Sequence, residues 1–194
     1  MIVRSDITGL VLCGGAGRRM GGIDKPLALW KGRPLVAHVI ERIAPHCASL
    51  LISANRSREA YERLGVPVFS DQLSDAGPLA GLHAVMPAMS TPLLLVCAGD
   101  MPKIDPQIIT RLASALGDTS DTAYDAAVAH DGVQLQPLVM LLRRVALDGL
   151  EPFLNAGGRA VHAWLDTLRV ATVDAADIAH SFFNVNTPGD LDPD

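Results

Sequence analysis

The residues best suited to chemistry lie together near the start of the chain. In "VLCGGAGRRMGGIDKP" (residues 11–26) an apolar run stops, and five glycines follow between Gly14 and Gly22. Arg18, Arg19 and Lys25 are interspersed with them. Glycines let successive backbone N–H groups close on an anion, and cations reach in from the side. Phosphate is the ligand this pattern suits. A triphosphate whose leaving group is pyrophosphate fits best, because fixed positive groups stabilise the charge that develops on the bridging oxygen.

Two familiar phosphate loops fail by register. Gly17 and Gly22 have the P-loop spacing, but Ile23-Asp24 follows where Lys-Ser/Thr is required. The dinucleotide fingerprint fails at Met20, which stands in place of its third glycine. The second strand ends in Asn55-Arg56 and offers no acidic residue for a ribose.

The remaining polar candidates are found where apolar runs stop. Ile7–Cys13 reads as a buried strand, "SLLIS" (49–53) as a second, "VPVFSD" (66–71) as a third ending at Asp71, and "PLLLVCAGD" (92–100) as a fourth ending at Asp100. Helical patterns alternate with them: one after Pro34 carries Val36, Val39, Ile40 and Ile43 on one face, one is stopped by Gly65, one is opened by Pro78, and one is capped by Asp105 with Pro106 at its first position. This βαβα alternation predicts an α/β fold, a doubly wound, Rossmann-like, mostly parallel but mixed sheet with helices on both faces. Further on, a hairpin is expected around Asp131-Gly132, then helical segments near 147–154 and 159–167, a strand at "LRVATV", and a final strand in "FFNVNTPGDL". The simplest organisation is one domain over residues 1–194.

In open α/β sheets ligands bind outside the carboxyl ends of the strands. Ser53, Asn55, Asp71 and Asp100 should therefore line one crevice with the glycine loop. Asp105 already supplies the next helix cap, which leaves the Asp100 carboxylate for the crevice. A carboxylate facing a phosphate loop needs a cation between them, and Mg²⁺ typically takes one or two carboxylates plus phosphate oxygens. Asp100 is thus the expected metal ligand. Asp71 is either a second polar contact or a contact to base or ribose.

Composition narrows the class. The 194-residue chain has a formal net charge of −5 and is 49% hydrophobic, so a nucleic-acid surface is not its main purpose. Three cysteines without a CxxC argue against a disulfide framework or zinc site. The six histidines show no HxxxH pair, and Trp30 and Trp164 read as packing residues. With no signal-peptide pattern at the N-terminus and no membrane-length apolar run, a cytoplasmic monomer with no membrane partner is expected.

Together, "LCGGAGRRMGGIDKP", "GPLAG" (77–81), "GDMP" (99–102) and "NVNTP" (184–188) resemble the motifs of the MobA-type molybdenum cofactor guanylyltransferases, in that family's order and over nearly the whole chain. The resemblance implies a nucleotide-diphospho-sugar transferase-like fold and transfer of GMP from GTP to molybdenum-bound molybdopterin, with Mg²⁺ required and pyrophosphate released. By position it implies that Leu12, Cys13 and Gly14 hold the nucleotide through backbone atoms, with Gly15 continuing the loop. Lys25 would contact phosphate, with Arg19 beside it on the leaving group, Asp71 the nucleotide, Asp100 both nucleotide and Mg²⁺, and Asn184 and Asn186 the pterin side. Implied partners are insertion proteins and the apo-molybdoenzymes that receive the product. Cys13 stands where the family pattern has alanine, and Ser53 where some members have asparagine. The latter leaves base selectivity open, and a CTP-using relative that acts on the same pterin is the nearest alternative. A nucleotide-binding cofactor chaperone is the non-catalytic one.

Overall fold

The computed structural model describes residues 1–14, 24–71, 73, 77–118, 123–185 and 188–191. Its centre is β1 (Ile7–Leu12), every residue of which is buried. β1 is paired in parallel on one side with β4 (Ser49–Ser53) and on the other with β6 (Leu93–Ala98). β5 (Val68–Phe69) adds to β4, while β8 (Leu135–Arg143), β7 (Ala126–His130) and β9 (Val170–Asp174) extend the far side. The order is β5-β4-β1-β6-β8-β7-β9, and β8 alone runs antiparallel to its neighbours. The doubly wound, mixed sheet expected from the sequence is thus present.

The period-2 alternation of each strand feeds two apolar layers. Val11, Leu93, Leu95 and Cys97 join one layer with α1 (Leu35–Ile43) and α4 (Gln107–Leu116). Leu10, Leu12, Leu94 and Val96 join the other with α3 (Gly77–Val85), α5 (Leu150–Asn155) and α6 (Val161–Leu165). A nine-residue helix such as α1 is marginal alone. Its fully buried Leu35, Val36, Val39 and Ile43, each worth about 1.5–3 kcal/mol on burial, hold it to the sheet. Asp105 Oδ1 accepts from the Gln107 N–H at 2.9 Å, so the expected cap of α4 is formed. Trp164 is fully buried and Trp30 nearly so, as packing residues should be.

Three expectations need correction. The third strand stops at Phe69, not Asp71, because only Val68 and Phe69 find partners on β4. Among the described residues of 182–191 there is no strand: a 3₁₀ segment (Ala176–Phe182) is followed by irregular chain at 183–185, and a 3₁₀ turn is formed at Pro188–Leu191. Two of the side chains that made this segment strand-like are used in packing, Phe182 in one layer and Val185 against Ala28, Trp30 and Leu35, whereas Phe183 is exposed. An unexpected two-stranded hairpin, β2 (Leu29–Trp30) and β3 (Arg33–Pro34), follows Lys25. Its tip places Lys31 at φ 49° and Gly32 at φ 76°.

The chain moves from β1 to β4 and β5 on one side, then returns to β6 on the other. The carboxyl ends of β1 and β6 are therefore a topological switch point, where open α/β sheets bind ligands. α3 lies close against this end. A Cβ on Gly81 would fall 2.6 Å from Ser53 Oγ and 2.7 Å from Leu12 Cδ2. Gly81→Ala should therefore cost about 1–3 kcal/mol of stability through overpacking, read as a lowered denaturation midpoint with an unchanged m-value. An unchanged midpoint would mean that α3 shifts freely.

Candidate functional site

Backbone hydrogen bonds draw three strand ends together. The Cys13 N–H donates to the Ser53 carbonyl at 2.8 Å, and the Gly99 N–H donates to the Leu12 carbonyl at 2.9 Å. Leu12, Cys13 and Gly14 thus leave the sheet flanked by Ser53 on one side and by Gly99-Asp100 on the other. Leu12 and Cys13 are buried, whereas Gly14 is exposed, so open backbone begins at Gly14. Gly15 and Arg19 lie outside the described residues.

Lys25 begins a 3₁₀ turn (Lys25–Leu27) whose Pro26 is buried. From there its Nζ reaches Asp100 Oδ2 at 2.6 Å. The two side chains are 20% and 21% exposed, so the pair is sheltered yet reachable from solvent. The two charged residues singled out in the sequence, 75 positions apart, therefore meet at the switch point.

On the β4 side, Asn55 and Asp71 form a reciprocal pair. Asn55 Nδ2 donates to Asp71 Oδ2 at 2.6 Å, and the Asp71 N–H donates to Asn55 Oδ1 at 3.0 Å. Although β5 is short, the Ala54 N–H still donates to the Phe69 carbonyl at 2.9 Å, which keeps the two loops side by side. Ser53 is brought to the same end, but its side chain is 4% exposed and tucked under Gly81 of α3. A ligand approaching from the crevice meets Asn55 and Asp71 before the Ser53 hydroxyl.

Asn184 sits beside the Lys25–Asp100 pair. Its neighbour Val185 donates its N–H to the Asp100 carbonyl at 3.2 Å and packs against Ala28, Trp30 and Leu35. Asn184 Oδ1 is buried and has no hydrogen-bond partner among the described residues. Asn186 lies outside them.

Two features went unnoticed in the sequence. Lys103 lies 5.9 Å from the Trp30 ring centre and 5.0 Å from that of Phe183, at the rim formed by the hairpin and the segment leading to Asn184. Asp24 receives a 2.9 Å hydrogen bond from the Tyr61 hydroxyl. The only sequence signals were the acid beside Lys25 and one of two tyrosines on the inward face of a short helix. Among the described residues no group of three or more His, Cys, Asp or Glu could hold a metal. Asp100 is the carboxylate at the switch point itself.

Comparison with known proteins places this geometry. The model of the MobA-like NTP transferase domain matches residues 9–171. A molybdenum cofactor guanylyltransferase of Cupriavidus necator is 41% identical, covering 98% of this chain and 97% of the relative. One from Bordetella petrii is 39% identical, with 98% of both chains covered. Among solved structures, molybdopterin-guanine dinucleotide biosynthesis protein A from Archaeoglobus fulgidus superposes with a TM-score of 0.76 at 26% identity, over 95% of this chain and 94% of that one. A 2-C-methyl-D-erythritol 4-phosphate cytidylyltransferase from Thermus thermophilus shares the fold, with a TM-score of 0.69 at 17% identity over 94% of each chain.

The thiol at the mouth of the loop is not a nucleophile. Burial pushes the Cys13 thiol well above its ordinary value, and the charge of Asp24 pushes it further. Burial likewise moves Cys47 to about 12 and raises Cys97. A raised thiol stays protonated until the pH approaches its own value, so little thiolate exists at pH 8. The native protein should leave all three cysteines unmodified by a thiol reagent at pH 8 and release them on unfolding. Rapid modification of Cys13 in the folded protein would contradict this burial.

Proposed function

Because the chain belongs to the MobA-like NTP transferase family, we propose that this nucleotidyltransferase moves GMP from GTP to the terminal phosphate of molybdenum-bound molybdopterin, releasing pyrophosphate. The observation that carries the reading is the meeting of Lys25 and Asp100 at the carboxyl ends of β1 and β6, where exposed backbone begins at Gly14. GTP lies over the Leu12-Cys13-Gly14 backbone with its base toward Asn55 and Asp71. The pterin side faces Asn184 and Asn186. The buried, unpartnered Asn184 Oδ1 is an acceptor ready for a donor on that substrate.

The reaction needs little proton chemistry. An oxygen of the pterin phosphate attacks the α-phosphorus in line. The bond from that phosphorus to the α,β-bridging oxygen breaks, and its electron pair leaves with pyrophosphate. The nucleophile is already ionised and needs no base. Catalysis is then positioning and charge neutralisation. Lys25, with Arg19, stabilises the charge on the leaving oxygen.

A divalent cation fits the donors present. Mg²⁺ is commonly held by one or two carboxylates, with substrate phosphates and water completing the shell. Asp100 is a hard oxygen donor reachable from solvent, and no fuller protein cage is needed. When bound there, Mg²⁺ supplies positive charge to the phosphates. Asp100 would hold the ion, and the Lys25 ammonium beside it would face the phosphates. The product suits the apo-molybdoenzymes that take the guanine dinucleotide cofactor.

Lys25→Ala should lower kcat on the order of a hundredfold or more, and Asp100→Asn should abolish Mg²⁺-dependent turnover while both variants keep their melting temperatures within a few degrees. Unchanged turnover in either variant would remove that residue from the site. In a thermal-shift series with Mg²⁺, GTP should stabilise the protein more than CTP, ATP or UTP, since ligand bound only to the native state raises Tm. Stabilisation by CTP alone would overturn the guanine assignment.

A further inference from the structure

Lys25 leaves the backbone from a turn with few constraints of its own. Among the described residues, its backbone hydrogen bonds run from the Leu27 N–H to the Asp24 carbonyl at 2.9 Å and from the Ala28 N–H to the Lys25 carbonyl at 3.0 Å. A 3₁₀ turn of this length is weakly held by its own bonds, and lysine adds a long flexible stem. The residue before it supplies what is missing. Asp24 reaches into the core, where its Oδ1 accepts the 2.9 Å hydrogen bond from Tyr61. Its Oδ2 is buried as well and has no partner among the described residues.

Tyr61 is fully buried and is the one buried residue of α2 (Arg58–Glu62). Its ring packs in the same apolar layer as Val36, Val39 and Ala54. Packing alone would be served by phenylalanine, and a buried carboxylate opposite it would then only cost stability. The phenol therefore holds Asp24, the first described residue after the glycines of the first motif.

We propose that Tyr61 is a positioning residue for the transfer reaction: by holding the Asp24 carboxylate inward it sets the direction in which Lys25 enters the crevice. Adjacent residues then divide the work, Asp24 fixed inward on Tyr61 and Lys25 turned toward Asp100. The effect on turnover rests on the GMP-transfer reading, whereas the anchoring itself does not.

The experiment has one arm for each. Hydrogen exchange on the full-length protein reads the anchor without any substrate. In Tyr61→Phe the amides of Leu27 and Ala28 should exchange faster, while those of β6 and α4 keep their wild-type rates. Unchanged exchange at Leu27 and Ala28, or a uniform rise across the molecule, would overturn the anchor. Kinetics read the consequence. Tyr61→Phe should lower kcat roughly tenfold, as a displaced catalytic group does, and the same change in a Lys25→Ala background should cost less than twofold, because its effect passes through Lys25. An equal loss in both backgrounds would mark Tyr61 as merely structural. Asp24→Asn, which keeps an acceptor for the hydroxyl, should cost less than Asp24→Ala; the reverse order would overturn the role of that hydrogen bond. Altered exchange combined with no GMP transfer by the wild-type enzyme would leave the anchor standing and defeat the transfer reading instead.

Discussion

The site depends on the pairing of one strand. β1 is fully buried and carries parallel neighbours on both edges. The backbone bonds Cys13 to Ser53 and Gly99 to Leu12 carry that pairing past the ends of the strands. A chain leaving such a strand can go only outward, over the carboxyl edge of the sheet. Gly14, the Asp100 loop and the Asn55–Asp71 pair are presented there side by side because the strands beneath them cannot slip: a shift of one residue would turn their apolar faces from one layer to the other.

Charge then decides what this edge can do. Lys25 and Asp100 neutralise each other at 2.6 Å in a partly sheltered place. Each is also what the other needs to be free of in the proposed reaction: a triphosphate attracts the ammonium and a divalent cation attracts the carboxylate. A paired site of this kind exchanges one set of charge partners for another on binding and never leaves a bare charge in a low-dielectric pocket, which would be costly.

Much of this was legible in the residues. β1, β4 and β6 are continuous apolar runs, which is how a parallel strand covered on both faces must read. The second stops at Ser53 as expected, whereas β6 stops at Ala98 and Asp100 lies in the turn just beyond it. The failures have physical causes. "VPVFSD" looked like a full strand, but an edge strand lasts only as long as its neighbour, and Ser53 is the last residue of β4. "FFNVN" has strand-like residues, yet its single described backbone link to the site is Val185 to Asp100, and Phe182 and Val185 are taken up by packing while Phe183 is exposed. The β2–β3 hairpin was missed because Lys31-Gly32 is not the turn signal that Asn-Gly or Asp-Gly would be. The Tyr61–Asp24 bond joins residues 37 positions apart, and no local periodicity encodes such a contact.

The base specificity of the proposed transfer is the feature furthest from any single motif, since Asn55 and Asp71 occupy the β4 side of the crevice while the Ser53 hydroxyl is covered by α3. The most direct test follows the transferred group. The enzyme is incubated with Mg²⁺, molybdenum-bound molybdopterin and GTP labelled at the α-phosphate, with α-labelled CTP in a parallel reaction. The account predicts that label from GTP appears in a pterin guanine dinucleotide, with one pyrophosphate released per label transferred, and that CTP transfers little. Transfer from CTP in preference to GTP, or binding of GTP with no label transferred, would contradict it.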